Sequence, residues 1–242
     1  MNGFSFNGIN CSHFGVYTKS KSRPVLPQTN DNYLQVPGKP GTYLFSGELT
    51  DRMIQVECWT TSDTLELMQL KMRDIAKWLY TTDKQYLSFD DENTKSYLAK
   101  VEGVVNKKQT NKYAEFTVVF RCEPLAYGGY IETDFISDTV TISNTGTYEA
   151  LPSFEVTFIA PASEIKIQLG SNFIRIIKEF ILNDILEINT ANGAVLLNGQ
   201  RILDCLDWQN SIFFSLPTGE NIINITPIGV SSAKIIYRTR WL

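Results

Sequence analysis

The chain has 242 residues and a mass of 27.4 kDa, with 43% hydrophobic and 20% charged residues. That composition excludes a disordered chain and leaves room for one large domain or two of ordinary size. The formal charge of −4 argues against a general nucleic-acid binder, which carries a basic excess. No apolar run approaches the roughly 20 residues of a membrane span, so no membrane partner is expected. The opening MNGFSFNGIN lacks the basic and apolar regions of a secretory signal.

His13 is the single histidine, which excludes two-histidine zinc sites and two-histidine mechanisms. Cys11, Cys58, Cys122 and Cys205 are widely spaced, with no C-x-x-C pair. In a chain without a secretory signal they read as reduced, buried thiols.

In chain order, the first β-prone runs are Tyr43–Phe45 and Met53–Trp59. One segment has a helical period: Leu65, Met68, Met72, Ile75, Ala76 and Leu79 recur at three- and four-residue steps. This predicts a helix over about 62–80, capped by Ser62 or Asp63, with Glu66 and Lys77 suiting the two ends of its dipole. Tyr86–Phe89 leads into the turn Asp90–Asn93, and Ser96–Val101 follows. Gly103–Val105 and Ala114–Phe120 flank a polar, basic stretch, which predicts a long hairpin with Lys107, Lys108 and Lys112 at its tip. The stretch Glu123–Tyr130, with Pro124 and Gly128-Gly129, predicts a junction. Lys+Arg and Asp+Glu number 15 and 14 before residue 131, then 7 and 12 after it. Two domains are therefore expected, 1–130 and 131–242.

The second half alternates apolar and polar residues at Phe154/Val156/Phe158, Ile165/Ile167/Leu169 and Leu186/Ile188. Asn192-Gly193 and Asn198-Gly199 are two-residue turn signals. Many short strands with frequent turns and no helix predict an antiparallel β-sandwich, so the fold class is mainly β.

A catalytic constellation is not legible. A Ser-His-Asp or Cys-His arrangement would have to use His13, and no G-x-S-x-G elbow exists. Asp90-Asp91-Glu92 lacks calcium-loop spacing and reads as a solvated turn. Neither a Walker A nor a Rossmann glycine pattern is present, so no cofactor and no metal are expected. Trp208 and Trp241 would stack on sugar rings if exposed, and otherwise read as interior or interface aromatics.

The order of several short motifs is more informative. Gly3–Gly8 is followed by Pro37–Tyr43, the helix with Trp78-Leu79, Tyr97–Val101, Phe116–Phe120 and Cys122–Tyr127. Then come Asn144–Pro152, Leu216–Asn221 and the ending Ile236–Leu242. In this order and spacing the chain resembles the distal tail proteins of siphophages that infect Gram-positive bacteria. The resemblance implies a hexameric ring at the tail tip, made by an N-terminal β-sandwich-like domain with one helix and a long hairpin. It also implies a C-terminal galectin-like β-sandwich facing outward. The implied partners are copies of itself, the tail tube protein, a tail-associated fibre or lysin protein, and in some cases receptor-binding proteins. The implied place is the distal end of the virion tail, after synthesis in the bacterial host cytoplasm. Relatives that carry an inserted carbohydrate-binding module are longer than this chain.

A scaffold of that kind works through self-complementary surfaces, not catalysis. The hairpin from Gly103 to Phe120, with Lys107, Lys108 and Lys112, is the expected contact with the next copy or the ring lining. The competing readings are a lectin-like module with Trp208 as its sugar platform and an enzyme such as a glycoside hydrolase.

Overall fold

The structure is a computed structural model that describes residues 3–110, 112–135 and 138–242, with the side chains of 105–107 left outside that description. The chain is mainly β and divides into two compact units, 1–127 and 128–241.

In the first unit, β1 (Phe4–Phe6), β2 (Ile9–Asn10), β3 (Val16–Ser22), β4 (Thr29–Gln35), β5 (Thr42–Leu49) and β6 (Arg52–Thr61) precede helix α1 (Leu65–Leu79). After it come β7 (Gln85–Phe89), β8 (Ser96–Gln109) and β9 (Tyr113–Asp134), whose last residues continue into the second unit. All pairings are antiparallel: β6 and β8 flank β9, β3 joins β6, and β7, β1 and β2 follow β8. The strands β6 and β9 each bury alternate residues, Ile54/Val56/Cys58 and Phe116/Val118/Phe120. That period of two gives the sheet one core face.

Helix α1 covers that core with Met68, Ile75, Trp78 and Leu79. The indole of Trp78 stacks between Phe4, at 5.6 Å, and Phe14, at 4.8 Å, and donates to Phe6 O at 3.0 Å. The helix differs in detail from its sequence pattern. Its cap is Thr64, whose hydroxyl accepts from Leu67 N at 3.2 Å, while Ser62 N is tied to Lys112 O at 3.1 Å outside the helix. Leu65 and Ala76, expected on the apolar stripe, are exposed, and Trp78 takes the inner position instead. The four cysteines are free thiols; burial pushes those of Cys58 and Cys122 up to about 12, so both are held inert.

The second unit is a sandwich. One sheet holds β10 (Thr139–Asn144), β12 (Ala162–Leu169), β13 (Asn172–Phe180) and β17 (Gly219–Thr226), in the order β10-β17-β12-β13. The other holds β11 (Ser153–Phe158), β14 (Ile185–Asn189), β15 (Ala194–Leu197), β16 (Gln200–Arg201), β18 (Ser231–Trp241) and the end of β9. Ile142, Ile167, Ile176 and Ile225 from one sheet meet Phe154, Phe158, Leu186 and Ile235 from the other in a single core.

The motifs of this half are turn locks. Asn144 is buried, donates to Tyr148 O at 3.1 Å and Leu216 O at 3.0 Å, and accepts from Gly146 N at 3.0 Å. A Cβ on Gly146 would collide with the Arg240 carbonyl, so only glycine fits. Asn221 donates to Pro217 O and Gly219 O, both at 2.9 Å. Asn144→Ala removes both donations and the acceptor of Gly146 N–H, while Leu216 O keeps its bond from Ala150 N at 2.9 Å; it is expected to cost roughly 1–3 kcal/mol, read from urea unfolding.

Asp184 closes the turn before β14. It accepts from Ile181 N at 2.9 Å and Asn198 Nδ2 at 2.8 Å, and these bonds hold its carboxyl below the ordinary value. A lowered folded-state pKa stabilises above the unfolded value of about 3.9 and loses that contribution as pH falls through the folded value. Asp184→Asn is therefore expected to lower the melting temperature at pH 7 and to close the gap with the parent chain in melts run near pH 3.

Candidate assembly interface

The segment that stands apart from both cores is the hairpin β4–β5. It forms its own two-stranded sheet, paired with no other described strand. Arg23-Pro24-Val25-Leu26-Pro27 leads into it, bending at Val25-Leu26 between two prolines that each fix their φ. Pro37-Gly38-Lys39-Pro40-Gly41 turns it, with Gly38 and Gly41 both at φ +83.

Across the two strands Tyr33 faces Leu44, and Leu34 faces Tyr43; Phe45 is the extra residue of a bulge between the Asn32–Ser46 and Tyr33–Leu44 pairs. Because neighbours on a strand point to opposite faces, Tyr33 and Leu44 cover one face and Leu34 and Tyr43 the other. All of these, with Val36 and Phe45, are exposed, Phe45 by 76%. Ordinary antiparallel strands have one wet, polar face. The outer half of this arm is apolar on both, and among the described strands the arm has no third strand and leaves both edges open, features that in water call for a covering partner.

Its base is fixed. Thr50 N donates to Gln28 O at 2.8 Å, and Arg52 donates to Pro24 O at 3.3 Å. Arg23 pairs with Asp91 at 2.9 Å and lies over the Phe89 ring at 4.8 Å. Burial alone would raise the pKa of Asp91, but the Lys21 and Arg23 cations outweigh it and hold the carboxyl below its usual range. The acidic trio of the sequence thus serves as an anchor: Asp90 accepts from Gly3 N, and Glu92 pairs with Arg23 and Lys95. Among the described residues no group of acidic, histidine and cysteine side chains is arranged to hold a metal.

The other predicted residues fall elsewhere. Lys108 and Lys112 are exposed at the β8–β9 end, with β8 and β9 themselves built into the central sheet. The side chain of Lys107 lies outside the described residues. Trp208 is 63% exposed, and its indole N–H donates to Leu203 O at 3.0 Å, which fixes the ring. His13 is exposed, edge-on to Phe14 at 5.0 Å, at the margin of an open groove beside α1. Sequence reading took Tyr43–Phe45 as a β-prone run and Pro37–Tyr43 as a motif, but not as an exposed arm. Its signal was the unbroken triplet Tyr43-Leu44-Phe45, which lacks the alternation of a one-sided strand.

Comparison with known proteins fits this picture. Residues 9–122 match the phage tail protein RIFT-related domain, and residues 145–241 match the C-terminal domain of the siphovirus-type tail component. The structure is similar to that of the SPP1 Dit (gp 19.1) protein, described as a paradigm of the hub adsorption apparatus in phages infecting Gram-positive bacteria. The TM-score is 0.88 at 18% identity, and the match covers 100% of both chains. Chains of the phage P2 baseplate in its activated conformation, with Ca and with Sr, match at a TM-score of 0.50 over 98% of each chain, at 11% and 10% identity. No curated protein matches. A RIFT-related domain followed by this β-sandwich defines a structural component of a phage tail. The chain belongs to the siphovirus-type tail component family that these two domains define.

Proposed function

We propose that this protein closes into a hexameric ring at the distal end of the tail, through the N-terminal unit. The ring joins the tail tube to a tail-associated fibre or lysin protein and carries or supports host-adhesion proteins. The observation that carries this reading is the two-faced apolar arm, anchored at its base and uncovered along its length. In a ring each copy offers its arm to the next, and the apolar area leaves water. The β8–β9 tip, with Lys107, Lys108 and Lys112, is a further contact surface in this proposal. The protein acts by shape, without turnover, cofactor or specific nucleic-acid contact. Gold-labelled antibody against the chain is expected to mark the far end of the tail in electron micrographs of virions; label confined to the head or to the tube shaft would refute the assignment.

A second reading, a lectin-like module for cell-wall glycans, rests on the exposed, fixed indole of Trp208. It predicts glycan-array binding that Trp208→Ala removes.

A further inference from the structure

A head-to-tail ring needs a second surface on every copy, different from the first. We infer that this surface is the groove between α1 and the 3-10 turn Cys11–Phe14, and that its occupant is the β4–β5 arm of a second copy. This deepens the ring reading above and rests on it.

The groove has a volume of about 800 Å3 and is lined by Phe14, Gly15, Leu67 and Leu70, with Asp63, Lys71 and Asp74 as its charged residues. Leu67 and Leu70 are exposed, on a different face of α1 from Met68, Ile75 and Leu79. They contribute nothing to the core of their own unit, so they present apolar surface to something else. No arm residue lines the groove, so the chain does not fill it with its own hairpin. Strand β3 starts at Val16, directly beside Gly15, and among the described strands pairs only with β6. Its other edge is open to an added strand, and the arm has open edges to add.

Charge agrees with this fit. Lys39, at the arm's turn, is the only cation between residues 29 and 49, and its ammonium lies 3.1 Å from the centroid of the Tyr43 ring. Asp63 and Asp74 have no ion-pair partner among the described residues. Seating the apolar part of the arm on Leu67 and Leu70 brings its cationic turn to a rim that carries two carboxylates against one cation, Lys71, whose ammonium is tied to Thr61 O at 2.8 Å. Rim pairs of this kind set register and orientation more than affinity.

The test uses full-length chains with Cys205→Ser, which removes the half-exposed thiol. Copies carrying Leu44→Cys are mixed with copies carrying Leu70→Cys and treated with a short bis-maleimide. The expected result is a cross-linked pair in the mixture, absent when Tyr80→Cys, at the far end of α1, replaces Leu70→Cys. A ring that assembles without the Leu44–Leu70 product overturns the groove and leaves the ring reading intact. Wild-type chains that never assemble overturn both. A charge exchange gives a second readout. Lys39→Asp and Asp74→Lys are each expected to weaken association about fivefold, and the two together to restore it. A double exchange as weak as the two losses combined counts against the pairing.

Discussion

Exchanging both Leu44 and Phe45 for Asp is expected to leave every copy folded and to abolish the ring. Burying each of these side chains stabilises by roughly 1.5–3 kcal/mol. The substitution removes that gain and adds two carboxylates that must be desolvated against an apolar surface. Association should fall more than about a hundredfold, which corresponds to roughly 3 kcal/mol. The melting temperature should hold within a few degrees, because neither residue touches a core. Light scattering at matched concentrations, with a thermal melt of the same sample, separates the two effects. Assembly that persists in the doubly charged variant would remove the arm from the account. Loss of folding along with assembly would show that the arm supports its own unit.

The second large effect lies in the core of the N-terminal unit. Phe120 meets Phe4 edge-on at 5.6 Å and Phe6 at 5.3 Å, and Phe4 in turn stacks on Trp78. Phe14, a lining residue of the groove, stacks on the same Trp78 at 4.8 Å. Phe120→Ala leaves a cavity in this aromatic column and is expected to cost about 3–5 kcal/mol. In a scanning melt the transition of residues 1–127 should fall by roughly 10–20 °C. The transition of the C-terminal sandwich, whose own core runs from Val140 to Tyr237, should stay in place. A change under about 1 kcal/mol would mean that the column packs loosely.

How much of this was legible in the sequence depends on what each pattern encodes. Period-two alternation at Phe154/Val156/Phe158 and Phe116/Val118/Phe120 reports a strand with one buried face, and these strands stand where the pattern puts them. The helix was visible through Met68, Ile75 and Leu79, although Trp78 took a place assigned to Ala76. The Asn144 and Asn221 motifs were legible only as a family signature; the Asn144 bond to Leu216 O closes between distant segments, while those of Asn221 lock its own turn. The arm was harder to read. A run such as Tyr43-Leu44-Phe45 states that these side chains leave water, but not whether their own chain or another covers them. Leu67 and Leu70 pose the same problem. They sit off the helical stripe, and surplus leucines on one helix look like ordinary exposed residues until the groove beside them is visible. Assembly surfaces are written in the sequence as apolar residues left over after the core is filled, and only the fold shows what the core has used.

The central claim is that the arm and its counterpart lock copies of this chain into a closed ring. Native mass spectrometry of the full-length protein, alone and mixed with the tail tube and tip proteins proposed as its partners, tests it most directly. The account predicts a species of six times 27.4 kDa, or complexes built on that multiple. A chain that stays at 27.4 kDa in every mixture would contradict it.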